Sequence, residues 1–350
     1  MADGLTDLMH DLRAGRYRPQ PYVHFFIHEP KRRRISAAAF RDRIVHHALC
    51  AIIEPRFERV FIPNSFANRV GKGTHRAIDC AQQFARRYRY ALRADVRQHF
   101  ASIDHAILLD ALRPHVPEID LLELVSLILA SGAAELRDDY SMVWFPGDDL
   151  LAACRPRGLP IGNLTSQFWS NCYLHGFDLF VKRELRCWAY LRYVDDFVLF
   201  SDDKRQLWDW KEILQERLAR LRLTIHRSSA QVCPTAVGIP WLGMIVFPDH
   251  RRLKARKVRS TTRHLQMRYE AYRTGEISFG EFHASIVGFV NHSRHADTLG
   301  LRRHILAPMR LKTGVDARRS VNSRTVRQRP EEPRPAIRWG NHNTPENQQS

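Results

Sequence analysis

Residues 190–204 read YLRYVDDFVLFSDDK, with Asp195-Asp196 standing between two apolar runs. Two such runs separated by two residues predict a β-hairpin, yet Asp-Asp lacks the glycine that tight two-residue turns favour. Something other than turn chemistry therefore sets these residues. Adjacent carboxylates repel and shift each other's pKa unless a cation lies beside them, so the pair points to a divalent metal; aspartate is also common in turns, so Asp-Asp alone is a weak signal. A third carboxylate changes the odds. Asp95, in RADVRQHF (residues 93–100), ends another predicted strand. Carboxylates arriving from two strands supply oxygen ligands for two Mg2+ ions about 4 Å apart, which activate a 3′-hydroxyl and stabilise departing pyrophosphate. The chemistry this predicts is polymerisation of nucleotides.

The composition agrees with a polyanionic partner. Among 350 residues, 55 Lys and Arg face 37 Asp and Glu, a net charge of +18, and nucleic acid is the first partner such a surplus suggests. Hydrophobic residues at 44% and charged residues at 26% describe a globular chain with a sizeable core. No apolar run is long enough to span a bilayer, and MADGLTDLMHDLRAGRYRP lacks the apolar stretch of a signal peptide, so a cytoplasmic location without membrane contact is expected. The six cysteines are scattered singly, with no zinc spacing, and are expected as reduced core thiols.

Along the chain the pattern is α+β, with no internal repeat. A basic knot at residues 31–34 precedes Phe40, Ile44, Ala48 and Ile52, whose helical spacing predicts an amphipathic helix stopping near Glu54-Pro55. A Gly-rich basic turn, SFANRVGKGTH (65–75), leads into another helix. LLELVSLILASG (121–132) predicts an apolar helix, and residues 163–185 predict a long one with Phe168, Cys172, Phe177 and Val181 inward. WDWKEILQERLARL (208–221) predicts a further helix, WLGMIVF (241–247) a strand, and Ser278-Phe-Gly-Glu281 a capping box. Residues beyond Met309 are polar and rich in Pro, Arg, Asn and Gln, and a disordered tail is expected there.

Asp95-Val-Arg-Gln-His-Phe100 and Tyr193-Val-Asp-Asp196 resemble, in order and spacing, the first metal-ligand motif and the YxDD box of the reverse transcriptases. The resemblance runs from about Lys31 to Leu306. It implies a right-hand polymerase with an antiparallel palm sheet: an N-terminal segment (1–30), fingers and palm (31–250), a basic helical thumb (251–309) and the polar tail (310–350). It implies Asp95, Asp195 and Asp196 as catalytic, with Asp95 and Asp195 as direct metal ligands, Asp196 supporting, and the Val96 carbonyl completing one ion's shell. Two Mg2+ ions are the implied cofactor, with Mn2+ as a substitute. Phe100 falls where the family keeps a bulky aromatic that excludes a ribose 2′-OH, which makes dNTPs the implied substrate. Arg69 and Lys72 resemble the fingers grip on the triphosphate, and Trp241-Leu-Gly243 falls at the primer-grip hairpin. LRLTIHRSS (221–229) departs from the family, which often has a lysine here, and leaves the acid that protonates pyrophosphate unassigned between His226 and Arg227.

The subtype is read from GLPIGNLTSQ, residues 158–167. Most reverse transcriptases read roughly QGxxxSP there. Ile161 in place of Gln and Gln167 in place of Pro resemble the diversity-generating retroelement enzymes, which puts Ile161, Gly162 and Gln167 beside the dNTP. That resemblance implies a bacterial or phage-encoded enzyme making adenine-mutagenised cDNA from a template-repeat RNA. It also implies a small basic helical-bundle accessory protein. The alternatives are a stand-alone or group II intron-like reverse transcriptase without targeted mutagenesis, and a catalytically silent RNA-binding scaffold.

Overall fold

A computed structural model describes residues 2–28, 32–226 and 230–309, so the tail expected beyond Met309 and the Arg227 alternative lie outside the described residues. The chain divides into two units, 1–299 and 300–350. Of the second, residues 300–309 are described, and they hold most of the last described helix, α11 (Leu299–Leu306).

The first unit is organised around a four-stranded antiparallel sheet of β3 (Tyr90–Asp95), β4 (Tyr190–Tyr193), β5 (Asp196–Ser201) and β6 (Gln231–Pro234), in the order β4-β5-β3-β6. Alternation along the strands gives the two faces different work. Leu92, Ala94, Phe197 and Leu199 enter the main core, whereas Arg93, Asp95 and Asp196 belong to the opposite face. Against the core face lie α7 (Leu164–Leu179) and α8 (Lys204–Arg220), which add Phe168, Cys172, Phe177, Leu207, Leu214 and Leu218 to the same cluster. The four inward positions expected of the long helix, Val181 included, are all buried. From Phe180 to Glu184 the helix widens into a π turn.

Before the sheet come α1 (Ala2–Arg13), the hairpin β1 (Val23–Ile27) and β2 (Arg33–Ala37), α2 (Phe40–Glu58) and α3 (Thr74–Arg87). Between β3 and α7 come α4 (His99–Ser102), α5 (His105–Leu112) and α6 (Ile119–Gly132). Past β6, a three-stranded sheet of β7 (Ile239–Trp241), β8 (Met244–Val246) and β9 (Arg251–Leu253) precedes α9 (Ala255–Thr274) and α10 (Phe279–Ser293). The capping box of α10 forms as expected, with Ser278 and Glu281 each bonding the other's backbone N–H. No described helix is long and apolar enough to cross a membrane. None of the six cysteines is in a disulfide; three are buried and Cys154 is exposed, so core thiols describe only part of the set.

Three local expectations are corrected. The helix α2 runs through Pro55 to Glu58 rather than stopping before it. Proline removes one hydrogen bond there, but Ile53 and Phe57 are fully buried on either side, and the Phe57 ring packs on Phe61 and Phe168 with centroids 5.4 and 5.8 Å away. Its buried face is Val45, Leu49, Ile53 and Phe57, while Phe40 and Ile52 are exposed. Residues 241–247 form two strands instead of one, because Leu242 and Gly243 both take positive φ and turn the chain back.

Four described histidines are buried, and burial lowers the pKa of each, three of them strongly. Burial pushes His46 and His175 down to about 4 and His99 down to about 3. Their folded-state pKa values lie below the ordinary 6.5 or so, so the unfolded chain binds protons first. The stability they permit is complete above about pH 6.5 and is lost as pH falls towards 4. Thermal melts should therefore show a marked drop between pH 7.5 and pH 5, on the order of 2 kcal/mol for each histidine. A melting temperature unchanged or higher at pH 5 would overturn this assignment.

Candidate active site

The aspartate hairpin is built differently from its sequence reading. Register pairs Tyr193 with Asp196, so the two turn residues are Val194 and Asp195, and Asp196 already begins β5. Val194 sits at φ +56°, a left-handed conformation that a β-branched residue adopts only under constraint. The constraint is Arg192. Its Nη1 donates to the Val194 carbonyl at 2.8 Å and to Asn171 Oδ1 at 3.1 Å, while Nε and Nη2 grip Asp178 at 2.8 and 2.6 Å. Tyr190 Oη donates to the same carboxylate at 2.6 Å, and Arg192 and Asp178 are both fully buried. An ion pair below the sheet thus holds the turn above it.

The turn is also tied to β3. Asp195 O accepts from Val96 N–H at 3.1 Å, and Asp95 O accepts from His226 N–H at 2.8 Å. These bonds bring Asp95, Val96 and Asp195 to one cavity of about 590 Å³, together with Phe100, Ile161 and His226. Burial first, and then the Asp95 and Asp196 carboxylates, push the Asp195 carboxyl up to about 7, against the pull of Arg33. Asp196 itself is turned to Arg93, whose Nη2 lies 2.8 Å from its Oδ1.

These residues fit a divalent metal, since carboxylates under mutual repulsion beside a backbone carbonyl form a hard oxygen donor set. Asp95, Asp195 and the Val96 carbonyl would hold it. Among the described residues no three His, Cys, Asp or Glu side chains gather as a metal cluster, which agrees with Asp196 facing Arg93.

Phe100 reaches the cavity because Gln98 takes φ +48° and starts the short α4 directly after Asp95. Ile161 reaches it from the loop before α7, and the loop is pinned on each side. The Ile161 carbonyl accepts from Ser36 N–H at 2.9 Å, and Asn163 bonds Ala38 N–H and Ser36 O, both at 2.9 Å. Gly162 has φ +119°, and a Cβ there would meet Ile35 Cγ2 at 2.6 Å, so no other residue fits. Gly162 therefore packs the loop on β2 and does not line the cavity. Gln167 is exposed and also outside the lining.

Arg69 and Lys72 do not line the cavity either. Arg69 is a core strut: its guanidinium makes a fork with Glu58 at 2.8 Å and donates to the carbonyls of Ile62 and Ser65. Half-buried Lys72 donates to Pro63 O at 2.8 Å. The cations that do line the cavity are Arg32, Arg33, Arg34 and Arg97. The first three belong to the basic knot read from the sequence, which gave no hint of a β-hairpin. All five residues of β1 are exposed, so no alternation marks it as a strand.

A hairpin and a neighbouring strand thus deliver two carboxylates to one cavity lined by arginines. The profile of the family "Reverse transcriptase (RNA-dependent DNA polymerase)" matches residues 28–246, more than half of the chain, and the protein belongs to that family. It is, as a class, an RNA-directed DNA polymerase with mixed helices and antiparallel sheets.

Among its relatives, Protein YkfC of Escherichia coli (strain K12) is 24% identical over 304 residues, 75% of this chain and 76% of its own. The group II intron-encoded protein LtrA of Lactococcus lactis subsp. cremoris is 25% identical over 191 residues, 51% of this chain but 29% of LtrA. Apo telomerase from Candida tropicalis, truncated from its C-terminal domain, aligns with TM-score 0.49 at 10% identity, over 71% of this chain and 59% of that one. Telomerase from Candida albicans with a TWJ fragment of telomeric RNA aligns with TM-score 0.49 at 11% identity, over 89% and 65%. The chain thus spans under a third of LtrA and less than two thirds of the telomerase chains.

Proposed function

We propose that this chain copies an RNA template into cDNA with dNTPs, at the cavity between Asp95 and Asp195, and that it does so as a diversity-generating retroelement enzyme. The observation that carries the polymerase reading is the convergence of Asp95, Val96, Asp195, Phe100 and Ile161 on one cavity. Two Mg2+ ions, or Mn2+ in their place, supply Lewis acidity for in-line nucleotidyl transfer when bound. Asp95 and Asp195 hold the charge, and Asp196 acts through Arg93 by keeping that guanidinium off the cavity carboxylates. Arg33 and Arg34 face the cavity from β2 and are assigned to the triphosphate, in place of Arg69 and Lys72. On this reading residues 31–250 are fingers and palm, and 251–309 the thumb. Primer extension on an RNA template with Mg2+ tests the reading. A silent RNA-binding scaffold would bind template and yield no cDNA.

Phe100 is assigned to sugar selection. Phe100→Ala should raise rNTP incorporation relative to dNTP by about tenfold or more, since removing the ring leaves room for a 2′-OH. Unchanged discrimination would reduce Phe100 to a packing residue.

The subtype rests on Ile161, whose side chain offers the cavity only apolar contact where most of the family has an amide. Correct and incorrect pairs then differ less in transition-state binding, and about 1.4 kcal/mol lost is tenfold in discrimination. Ile161→Gln should lower misincorporation opposite template adenine several-fold, and more than opposite the other bases. Sequencing cDNA from both enzymes, with the small basic helical-bundle accessory protein that this subtype implies also present, is the measurement. Equal error spectra would favour the second reading, a group II intron-like reverse transcriptase, to which the likeness to LtrA over 191 residues lends support.

A further inference from the structure

The segment between α6 and α7 has two sides. Leu136, Asp138 and Asp139 line the active cavity, while Ala133, Arg137 and Tyr140 line a separate pocket of about 480 Å³. Gln98 clamps the segment in place: its Nε2 donates to Asp139 O at 2.6 Å and its Oε1 accepts from Ser141 N–H at 3.2 Å. The second pocket is lined further by Arg155 and Arg157, and none of its lining residues is acidic.

The chemistry of this pocket is specific. The Arg157 guanidinium lies 4.3 Å from the centre of the Tyr140 ring and is fixed there by bonds to Ala153 O and Met142 Sδ. A flat cation held on an aromatic ring leaves a second flat face for a nucleobase. Arg155 is 3.6 Å from Asp148, but that carboxylate is closer to Arg222, at 2.6 Å. Arg137 is exposed, with no side-chain partner among the described residues. Two guanidinium groups are thus available for a phosphate beside a stacking platform.

We propose that this pocket holds one phosphate and its adjoining base of the uncopied, single-stranded template RNA, outside the active cavity. The proposal rests on the polymerase reading, because at such a centre the strand already copied is duplex and only the uncopied template is single. A concave pocket admits one splayed nucleotide and not a paired helix.

The test uses the full chain and one primer–template duplex with 5′ template overhangs of either one or eight nucleotides, bound under fluorescence anisotropy. Wild type should bind the longer overhang about tenfold tighter. Arg137→Ala combined with Arg155→Ala should lose that increment and flatten its salt slope by about 0.7 for each phosphate no longer neutralised. Binding of the one-nucleotide overhang and extension at saturating template should stay as in wild type. Arg137→Ala alone, at an exposed and unpartnered side chain, decides the matter if the double variant folds poorly. An increment that survives in the variants, or that is absent in wild type, overturns the pocket assignment while extension continues. Loss of the increment in a protein that extends no primer would instead uphold the pocket and defeat the polymerase reading.

Discussion

Asp195→Asn is expected to lower primer extension by about 10³-fold or more and, in the same protein without metal, to raise the melting temperature. Both effects have one cause. Burial and the Asp95 carboxylate push the Asp195 carboxyl up to about 7, so keeping it ionised at neutral pH works against the fold. Because its folded pKa is raised, the group favours folding most at low pH, and the benefit is lost as pH rises from about 4 through 7. An amide cannot ionise and avoids the penalty. The shift from 3.8 to about 7, discounted for partial solvent screening, corresponds to about 2 kcal/mol at pH 8. Paired measurements of extension and thermal melting check this. Extension within tenfold of wild type would remove Asp195 from the chemistry, and an unchanged melting temperature would remove the strain.

The second large effect is expected at Arg192. Arg192→Met removes the ion-pair partner of Asp178 at a site with no solvent access and leaves its carboxylate only the Tyr190 hydroxyl, which costs about 3–5 kcal/mol. For a domain stable by about 5–15 kcal/mol this is a third of the total or more. Pairing it with Asp178→Leu should recover much of the stability in denaturant melts, since an apolar pair replaces the ion pair. Activity should not return with it. The Val194 carbonyl would still lack the donor that holds the turn at φ +56°, and Asp195 would lose its fixed place. A double variant that regains full extension would show that Arg192 serves only the core, and a single variant losing under 1 kcal/mol would refute the buried-charge argument.

Much of this centre is legible in the sequence because carboxylates at strand ends are costly unless something uses them. Asp95 and Asp195 stand out at the ends of apolar runs, and Phe100 and Ile161 are read from the family resemblance. The expected companions that the structure turns away from the cavity share one reason. Arg69 and Lys72 sit in a Gly-rich basic turn, but Arg69 finds Glu58 on α2, a partner set by tertiary packing. Asp196 finds Arg93 across the sheet through the β3–β5 register, which neither motif reveals. The β1–β2 hairpin escapes because its exposed first strand lacks the alternation that burial of one face imposes. Inward positions on α7 are readable because that helix is buried on nearly every side, so any apolar choice is right. Those on α2 are not, because apolar residues occupy its exposed face as well.

The loop before α7 divides its labour residue by residue. Gly162 and Asn163 fasten the backbone to β2, and Ile161 joins that fastening through its carbonyl and lines the cavity. The anchoring and the lining of the cavity are therefore separable by mutation. Position 161 is an adjustable dial on a fixed mount: exchanging its side chain alters the lining of the cavity while the surrounding chain keeps its path. A loop of this build tolerates single substitutions at that position without passing through an unfolded ancestor.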